Sequence, residues 1–504
     1  MLDTAELVLR VRGPDQPYKC TFRSEIDGSV QYYAVNPARP LPGDTTKPAL
    51  VLTLHGASVE AIGQAEAYEG KSWAHLVAPT NRRPYGFDWE DWGRLDALEV
   101  LDRAQAQLKT DPRRTYLTGH SMGGHGTWQI GATYPDRFAA IAPSAGWISF
   151  WSYGGGARPT PASPVEELLQ RAANPSDTLA LSRNSLQQGI YILHGSADDN
   201  VPPSEARTMR EHLAAFHHDF TYFEQPGAGH WWDVSDEPGA DCVDWPGIFD
   251  CFARHRLPEP QAVRSVEFHT ADPGISAWRQ WAGILAQTRA LRPTSVTLRL
   301  DPGKSRITGT TENVARLALR LAGVLKPGPL AVELDGQRLE RVPFPDTGRP
   351  LYLSRTGKTW SVTGAHPATE KNPARCGPFK QAFRNRMLFV YGTRGTPEEN
   401  AWAFAKARFD AETFWYRGNG AVDMIADRDF SAGKEPDRNV VLYGNTDTNT
   451  AWKALLGDSP VQISRGHVRI GARDLTGDDL ACLFIRPRPG SGKASVAAVS
   501  GSGL

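Results

Sequence analysis

Gly119-His120-Ser121-Met122-Gly123-Gly124 is the stretch on which the fold turns. A strand, Thr115-Tyr116-Leu117-Thr118, leads into it, and a helical stretch from about Met122 to Tyr134 leaves it. The segment has the form G-x-S-x-G between a strand and a helix, the context of a nucleophile elbow. Its small residues have a steric reason. A strand that turns this sharply into a helix strains the serine backbone and leaves no room for side chains two positions to either side. The serine hydroxyl then stands above the sheet, and the helix N-terminus turns backbone N–H groups toward an anion.

On either side of the elbow, residues 15–260 read as alternating strands and helices. Leu50–Leu54, His75–Pro79, Phe138–Ala142, Ile190–Leu193 and Phe220–Glu224 are apolar runs of strand length, and Leu95, Leu98, Leu101 and Leu108 recur at helical spacing between Arg94 and Leu108. Ser204 is an expected N-cap for a helix running to His217. Such alternation predicts a parallel sheet covered on both faces, with ligands at the carboxyl ends of its strands. Two loops at that edge hold the groups a serine nucleophile needs. His194-Gly-Ser-Ala-Asp198-Asp199-Asn200-Val-Pro202 begins where the strand Ile190–Leu193 ends, and Pro226-Gly-Ala-Gly-His230-Trp231-Trp232 follows Phe220–Glu224. The order Ser121, Asp198, His230 is nucleophile, acid, base. His230 is expected to take the Ser121 proton, and Asp198 to fix the imidazole tautomer, with adjacent Asp199 as the other candidate acid. The N–H of Met122 and one from His55-Gly56-Ala57-Ser58, assigned to Ala57, are the expected oxyanion donors.

These residues resemble an α/β-hydrolase of the prolyl oligopeptidase and esterase group. The features that carry the resemblance are His55-Gly56 after a strand, the elbow, His194-Gly-Ser-Ala-Asp198 through Val201-Pro202, and Gly227-Ala-Gly-His230. The whole chain is also similar to bacterial proteins of the prolyl oligopeptidase family in which such a domain precedes a further α/β region. The resemblance implies a doubly wound, mostly parallel sheet and a triad of Ser121, Asp198 and His230. It lacks the seven-bladed propeller of true prolyl oligopeptidases, which favours an esterase over a peptidase. The expected activity is cleavage of carboxylic esters through an acyl-enzyme, with acetyl or feruloyl esters of polysaccharides as the class. A serine peptidase and a catalytically silent hydrolase scaffold are the alternatives.

Trp147, Trp231 and Trp232 flank the motifs and are candidate walls for a small or polysaccharide-linked ester; Trp89 and Trp92 lie on a nearby segment. Arg82 or Arg83 is either a carboxylate anchor or solvated surface. His120, His125 and His194 read as packing residues, and His217-His218 as partners of a helix dipole. His, Cys and Asp show no metal-ligand spacing, so no metal and no cofactor are expected. The segment 151–185, with Tyr153-Gly-Gly-Gly-Ala157 and three prolines, interrupts the rhythm and reads as a cap or a surface excursion.

Pro258-Glu259-Pro260 marks a boundary. Residues 261–375 hold short alternating runs, among them Ser295–Leu300, Leu330–Leu334 and Thr359–Val362, and predict a small β-rich, sandwich-like module. Residues 376–504 return to α/β texture, with Met387–Tyr391 before Gly392-Thr-Arg-Gly395, a helix from Pro397 to about Phe409, and Val440–Tyr443 before Gly444-Asn-Thr-Asp-Thr448. They predict a Rossmann-like accessory region, read as cut short just past a final strand at 493–500. Its glycine loops match no nucleotide-binding pattern.

The 504 residues suit roughly two to four domains. Lys+Arg and Asp+Glu are 56 each, and that zero balance argues against nucleic acid as a partner. With 40% hydrophobic and 22% charged residues and no apolar run of bilayer length, the chain is neither disordered nor membrane-spanning by pattern. Five cysteines make no disulfide scaffold, though Cys242 and Cys251 are close enough to be either a bridge or two buried thiols. The first residues lack a basic n-region, so the reading is a cytoplasmic protein or, with a leader upstream, a secreted or periplasmic one. Oligomeric state has no signature in the sequence.

Overall fold

The computed structural model describes residues 11–156, 158–346 and 348–503. Residues 18–225 hold an eight-stranded sheet. Its strands are β1 (Tyr18–Arg23), β2 (Val30–Asn36), β3 (Ala49–Leu54), β4 (Ala74–Ala78), β5 (Thr115–His120), β6 (Ala140–Ser144), β7 (Gly189–Gly195) and β8 (Phe220–Gln225). The spatial order is β1-β2-β4-β3-β5-β6-β7-β8. β3 through β8 run parallel, while β1 and β2 form an antiparallel hairpin edge. This is the doubly wound α/β-hydrolase sheet. β3, β5, β6 and β7 are buried along their whole length, as strands covered on both faces must be.

The helices that matter for the site are α1 (Ala61–Glu66), α2 (Asp91–Leu108), α3 (Met122–Thr133), α4 (Phe150–Tyr153), α5 (Pro164–Ala173), α6 (Thr178–Leu181), α7 (Ser204–Ala214) and α8 (Pro246–Arg254). One core, with Leu50, Leu52, Leu117, Ile141 and Ile192, meets Val100 and Leu101 of α2 and Trp128 and Ile130 of α3. The opposite face packs Tyr116, Ala140, Ala142 and Leu193 under Ile248 and Phe252 of α8. Two local expectations need correcting. Pro203, not Ser204, occupies the cap position of α7, and that helix ends at Ala214. His217 is buried with its Nε2 2.9 Å from the carbonyl of Ser185, and burial lowers its pKa, so it is no cation on a helix dipole.

Beyond the hydrolase sheet, two five-stranded sheets built from Ser265–Thr363 face each other around Phe268, Trp281, Leu298, Leu317 and Leu353. A further five-stranded sheet holds Leu388–Tyr391, Asp423–Ala426, Val440–Tyr443 and Ser495–Gly501 in parallel, with Ala481–Pro487 antiparallel at its edge. The helix after its first strand runs from Pro397 to Gly418, nine residues past the expected end, and opens on a capping box of Thr396 and Glu399. This last unit docks on α2: Trp92 lies 5.0 Å from the ring of Phe414, and its indole N–H donates to the carbonyl of Phe383 at 2.8 Å. All five cysteines are free thiols, so Cys242 and Cys251 form no bridge.

Candidate active site

The elbow owes its shape to backbone crowding. A Cβ on Gly119 would lie 2.7 Å from the carbonyl of Leu54, and one on Gly124 would lie 2.7 Å from the Cα of Gly146. Gly123 is held closer still to Leu54. Ser121 takes φ 60°, a conformation L-residues rarely adopt, and its amide donates to the carbonyl of Ser144 at 3.0 Å. The strain is held by α3, every residue of which is buried. Ser121 itself is partly exposed at the carboxyl edge of the sheet.

Three side chains from three loops meet there. His230 Nε2 lies 2.9 Å from Ser121 Oγ. His230 Nδ1 lies 2.8 Å and 3.0 Å from the two oxygens of Asp198. Oδ1 of Asp198 also accepts from the amides of Asn200 and Val201, each at 2.9 Å. His194, on β7, donates from Nε2 to the carbonyl of Val201 at 2.9 Å and stands 3.3 Å from Asp198. Burial works against ionisation of Asp198. The hydrogen bonds from His194, His230 and the two amides outweigh it and hold the carboxyl well below its ordinary range. Asp199 is exposed, so the structure brings Asp198 and not its neighbour to His230.

The loop after β3 passes close to Ser121, where a Cβ on Gly56 would touch Ser121 Cβ at 3.4 Å. Among the described residues the amides of Ala57 and Met122 have no hydrogen-bond partner. The segment that carries Trp89 braces this loop. Asp88, Trp89 and Asp91 all have positive φ, and Asn81 Oδ1 accepts from the amides of Phe87 and Trp89. Trp89 Nε1 donates to the carbonyl of His55 at 3.1 Å. Propensity carries no signal for three left-handed non-glycine residues so close together.

The aromatic candidates separate. Trp231 is 54% exposed and meets the ring of His120 edge-on at 5.3 Å. Trp147 is nearly buried, stacked between His125 and Tyr153. Trp232 packs edge-on against Trp245 in the core, and Trp89 and Trp92 are core residues too, so these three are not walls. Arg82 is neither anchor nor surface. It is fully buried between Asp27 and Asp96, at 3.4 and 3.5 Å, with its guanidinium over the ring of Trp92. Arg83 is exposed and donates to the carbonyl of Trp415. His120, ring to ring with His230 at 4.8 Å, is pushed down to about 3 by burial and by the neighbouring imidazole, and stays neutral. In the segment 151–185, α5 presents Val165, Leu168 and Leu169 to solvent.

Comparison with known proteins adds a lineage. Residues 82–240 match the prolyl oligopeptidase family. That span contains Ser121, Asp198 and His230. An uncharacterized secreted protein of Arthroderma benhamiae is 26% identical over 366 residues, covering 67% of this chain and 38% of that protein. Poly(3-hydroxyalkanoate) depolymerase C of Paucimonas lemoignei is 29% identical over 197 residues, covering 33% of this chain and 45% of its own length. Feruloyl esterase B of Neurospora crassa is 27% identical over 188 residues, covering 31% and 61%. The chain thus spans between 38% and 61% of the length of these relatives. The segment that gathers the serine, histidine and aspartate is therefore similar to the prolyl oligopeptidase family and lies on an α/β-hydrolase sheet.

Proposed function

We propose that this protein is a serine hydrolase that cleaves carboxylic esters through an acyl-enzyme on Ser121. The observation that carries the reading is the unbroken line from Ser121 Oγ to His230 Nε2 and from His230 Nδ1 to the carboxylate of Asp198. Asp198 accepts the Nδ1 proton, which leaves the Nε2 lone pair facing the hydroxyl. As Oγ attacks the ester carbonyl, Nε2 takes its proton, and the ionised Asp198 stabilises the imidazolium. The proton then passes to the leaving alcohol, and water repeats the cycle on the acyl-enzyme. The unpaired amides of Met122 and Ala57 are the donors for the tetrahedral oxyanion, a role for which each is worth about 3 kcal/mol.

Esters are favoured over peptides by a relative whose name states ester chemistry, a feruloyl esterase, and by a depolymerase whose named polymer is linked through esters. Acetyl or feruloyl esters of polysaccharides are the proposed class. The family match supports a second reading, a serine peptidase. The secreted relative supports an extracellular or periplasmic setting. Hydrolysis of p-nitrophenyl acetate, p-nitrophenyl butyrate, methyl ferulate and an alanine or proline p-nitroanilide, by the protein and by Ser121→Ala, tests the proposal. Ester turnover lost in Ser121→Ala is the expected result. Anilide turnover with weak ester turnover would establish the peptidase, and no turnover by the folded protein would leave a silent scaffold.

A further inference from the structure

A cluster of buried polar atoms stands beside the elbow and takes no part in the line from Ser121 to Asp198. His125 lies one turn along α3 from Ser121, and its amide donates to the serine carbonyl at 3.0 Å. Ser121 is the non-helical N-cap of α3, so that backbone bond places His125 one turn from it, and contacts with Glu90 and Trp147 fix where the ring lies. Its ring is fully buried. Nδ1 is 3.2 Å from the carbonyl of Trp147, an acceptor, so Nδ1 carries the proton and a neutral ring offers Nε2 as an acceptor. Yet Nε2 faces another acceptor, Glu90 Oε1, at 3.7 Å. That is too long for a hydrogen bond.

Nε2 and Glu90 Oε1 are both buried without a partner, as are Asp88 Oδ1 and Trp147 Nε1. Leaving such atoms dry is costly. The surroundings are aromatic. Trp147 stacks on His125 at 4.8 Å and on Tyr153 at 4.5 Å, and Phe150 lies 5.0 Å from His125. Phe150 and Tyr153 are 46% and 37% exposed, so the aromatic wall reaches solvent.

The orphaned set contains three acceptors and one donor. A carboxylate ligand only accepts and would oppose Asp88 and Glu90. An ammonium only donates and would leave the Trp147 N–H unmet. A hydroxyl does both, and rings that carry hydroxyls also pack flat on aromatic side chains.

We propose that Asp88, Glu90, His125 and Trp147, walled by Phe150 and Tyr153, form a subsite for a hydroxyl-bearing ring of the ester substrate, next to Ser121. The inference rests on Ser121 being the nucleophile. The ring is a sugar or a phenol, two sources of one chemistry that matched substrate pairs distinguish.

The test uses the full chain, Trp147→Phe, which removes the indole N–H together with part of the stacked ring, and Glu90→Gln, which keeps the shape and removes the charge. The sugar pair is a monoacetylated methyl xyloside against cyclohexyl acetate, and the phenol pair is methyl 4-hydroxycinnamate against methyl cinnamate. The protein is expected to prefer the hydroxylated member of one pair by at least about tenfold in kcat/KM, and each folded variant to cut that preference to about threefold or less. No preference in either pair, or a preference untouched by both variants, overturns the subsite. A preference for an aminoacyl ester over both pairs overturns it in favour of an ammonium site. If p-nitrophenyl acetate is not hydrolysed, the proposed reaction fails on its own. Calorimetric titration with methyl xyloside and with methyl 4-hydroxycinnamate then decides the subsite: binding weakened tenfold in both variants supports it, and no binding overturns it.

Discussion

Replacing Asp198 by asparagine removes one charge and almost no volume, and the hydrogen bonds around it dictate the outcome. Oδ1 already accepts the amides of Asn200 and Val201. An asparagine keeps those two bonds only if its carbonyl oxygen stays in the Oδ1 position. Its NH2 then points at His230 Nδ1, where Oδ2 accepted at 2.8 Å. A donor facing Nδ1 selects the imidazole tautomer with the proton on Nε2. That nitrogen, 2.9 Å from Ser121 Oγ, can no longer take the serine proton. Loss of the correct tautomer and of the carboxylate charge at such a site lowers kcat by roughly 10⁴, about 5 kcal/mol of barrier. The assay is kcat/KM for p-nitrophenyl acetate in the protein, in Asp198→Asn and in Asp199→Asn. Asp199 is exposed and its variant is expected to retain full activity. An Asp198→Asn protein within tenfold of the parent would refute the reasoning, and so would an equal loss in Asp199→Asn.

The strain at Ser121 gives a second expectation. With φ at 60°, Ser121→Gly is inactive but more stable by about 1 kcal/mol, read as a higher Tm. Gly123→Ala drives a methyl into the carbonyl of Leu54, backbone against backbone; it is expected to cost several kcal/mol or prevent folding, as seen by circular dichroism and expression. Arg82→Ala leaves Asp27 and Asp96 buried without their cation and is expected to cost about 3–5 kcal/mol in urea unfolding. Because the carboxyl of Asp198 is held below its ordinary range when folded, its contribution to stability is fully present above about pH 5 and declines as the pH falls below about 4. Thermal unfolding between pH 6 and pH 3 should therefore destabilise the protein more than it does Asp198→Asn. A parallel decline in the two would sink that assignment.

Much of the framework was legible in the chain because it rests on local rules. Short, mostly apolar runs such as Leu50–Leu54 and Ile190–Leu193, stopped by glycine loops, read as strands covered on two faces, and glycines at 119, 123 and 124 leave a strand-to-helix turn as the economical reading. The order of serine, acid and histidine followed from which loops sit at the carboxyl edge. Tertiary contacts settled what spacing leaves degenerate. Asp198 and Asp199 are equivalent in sequence, yet two backbone amides and His230 converge on one while the other points into water. Arg82 reads as a surface cation or an anchor, but the docking of the last unit on α2 seals it with Asp27, Asp96 and Trp92. Trp232 and Trp231 are neighbours with opposite fates, because one side of their loop faces Trp245 and the other faces solvent. Nor could any pattern announce Asp88, Glu90 and His125. Their meeting depends on consecutive left-handed turns that only the surrounding packing enforces. The sheet, the elbow and the kinds of group at its edge were readable from local sequence, since burial periodicity and backbone sterics act over a few residues. Which acid, which tryptophan and which buried charges share the site was decided by the tertiary structure, because those choices depend on contacts between segments tens to hundreds of residues apart.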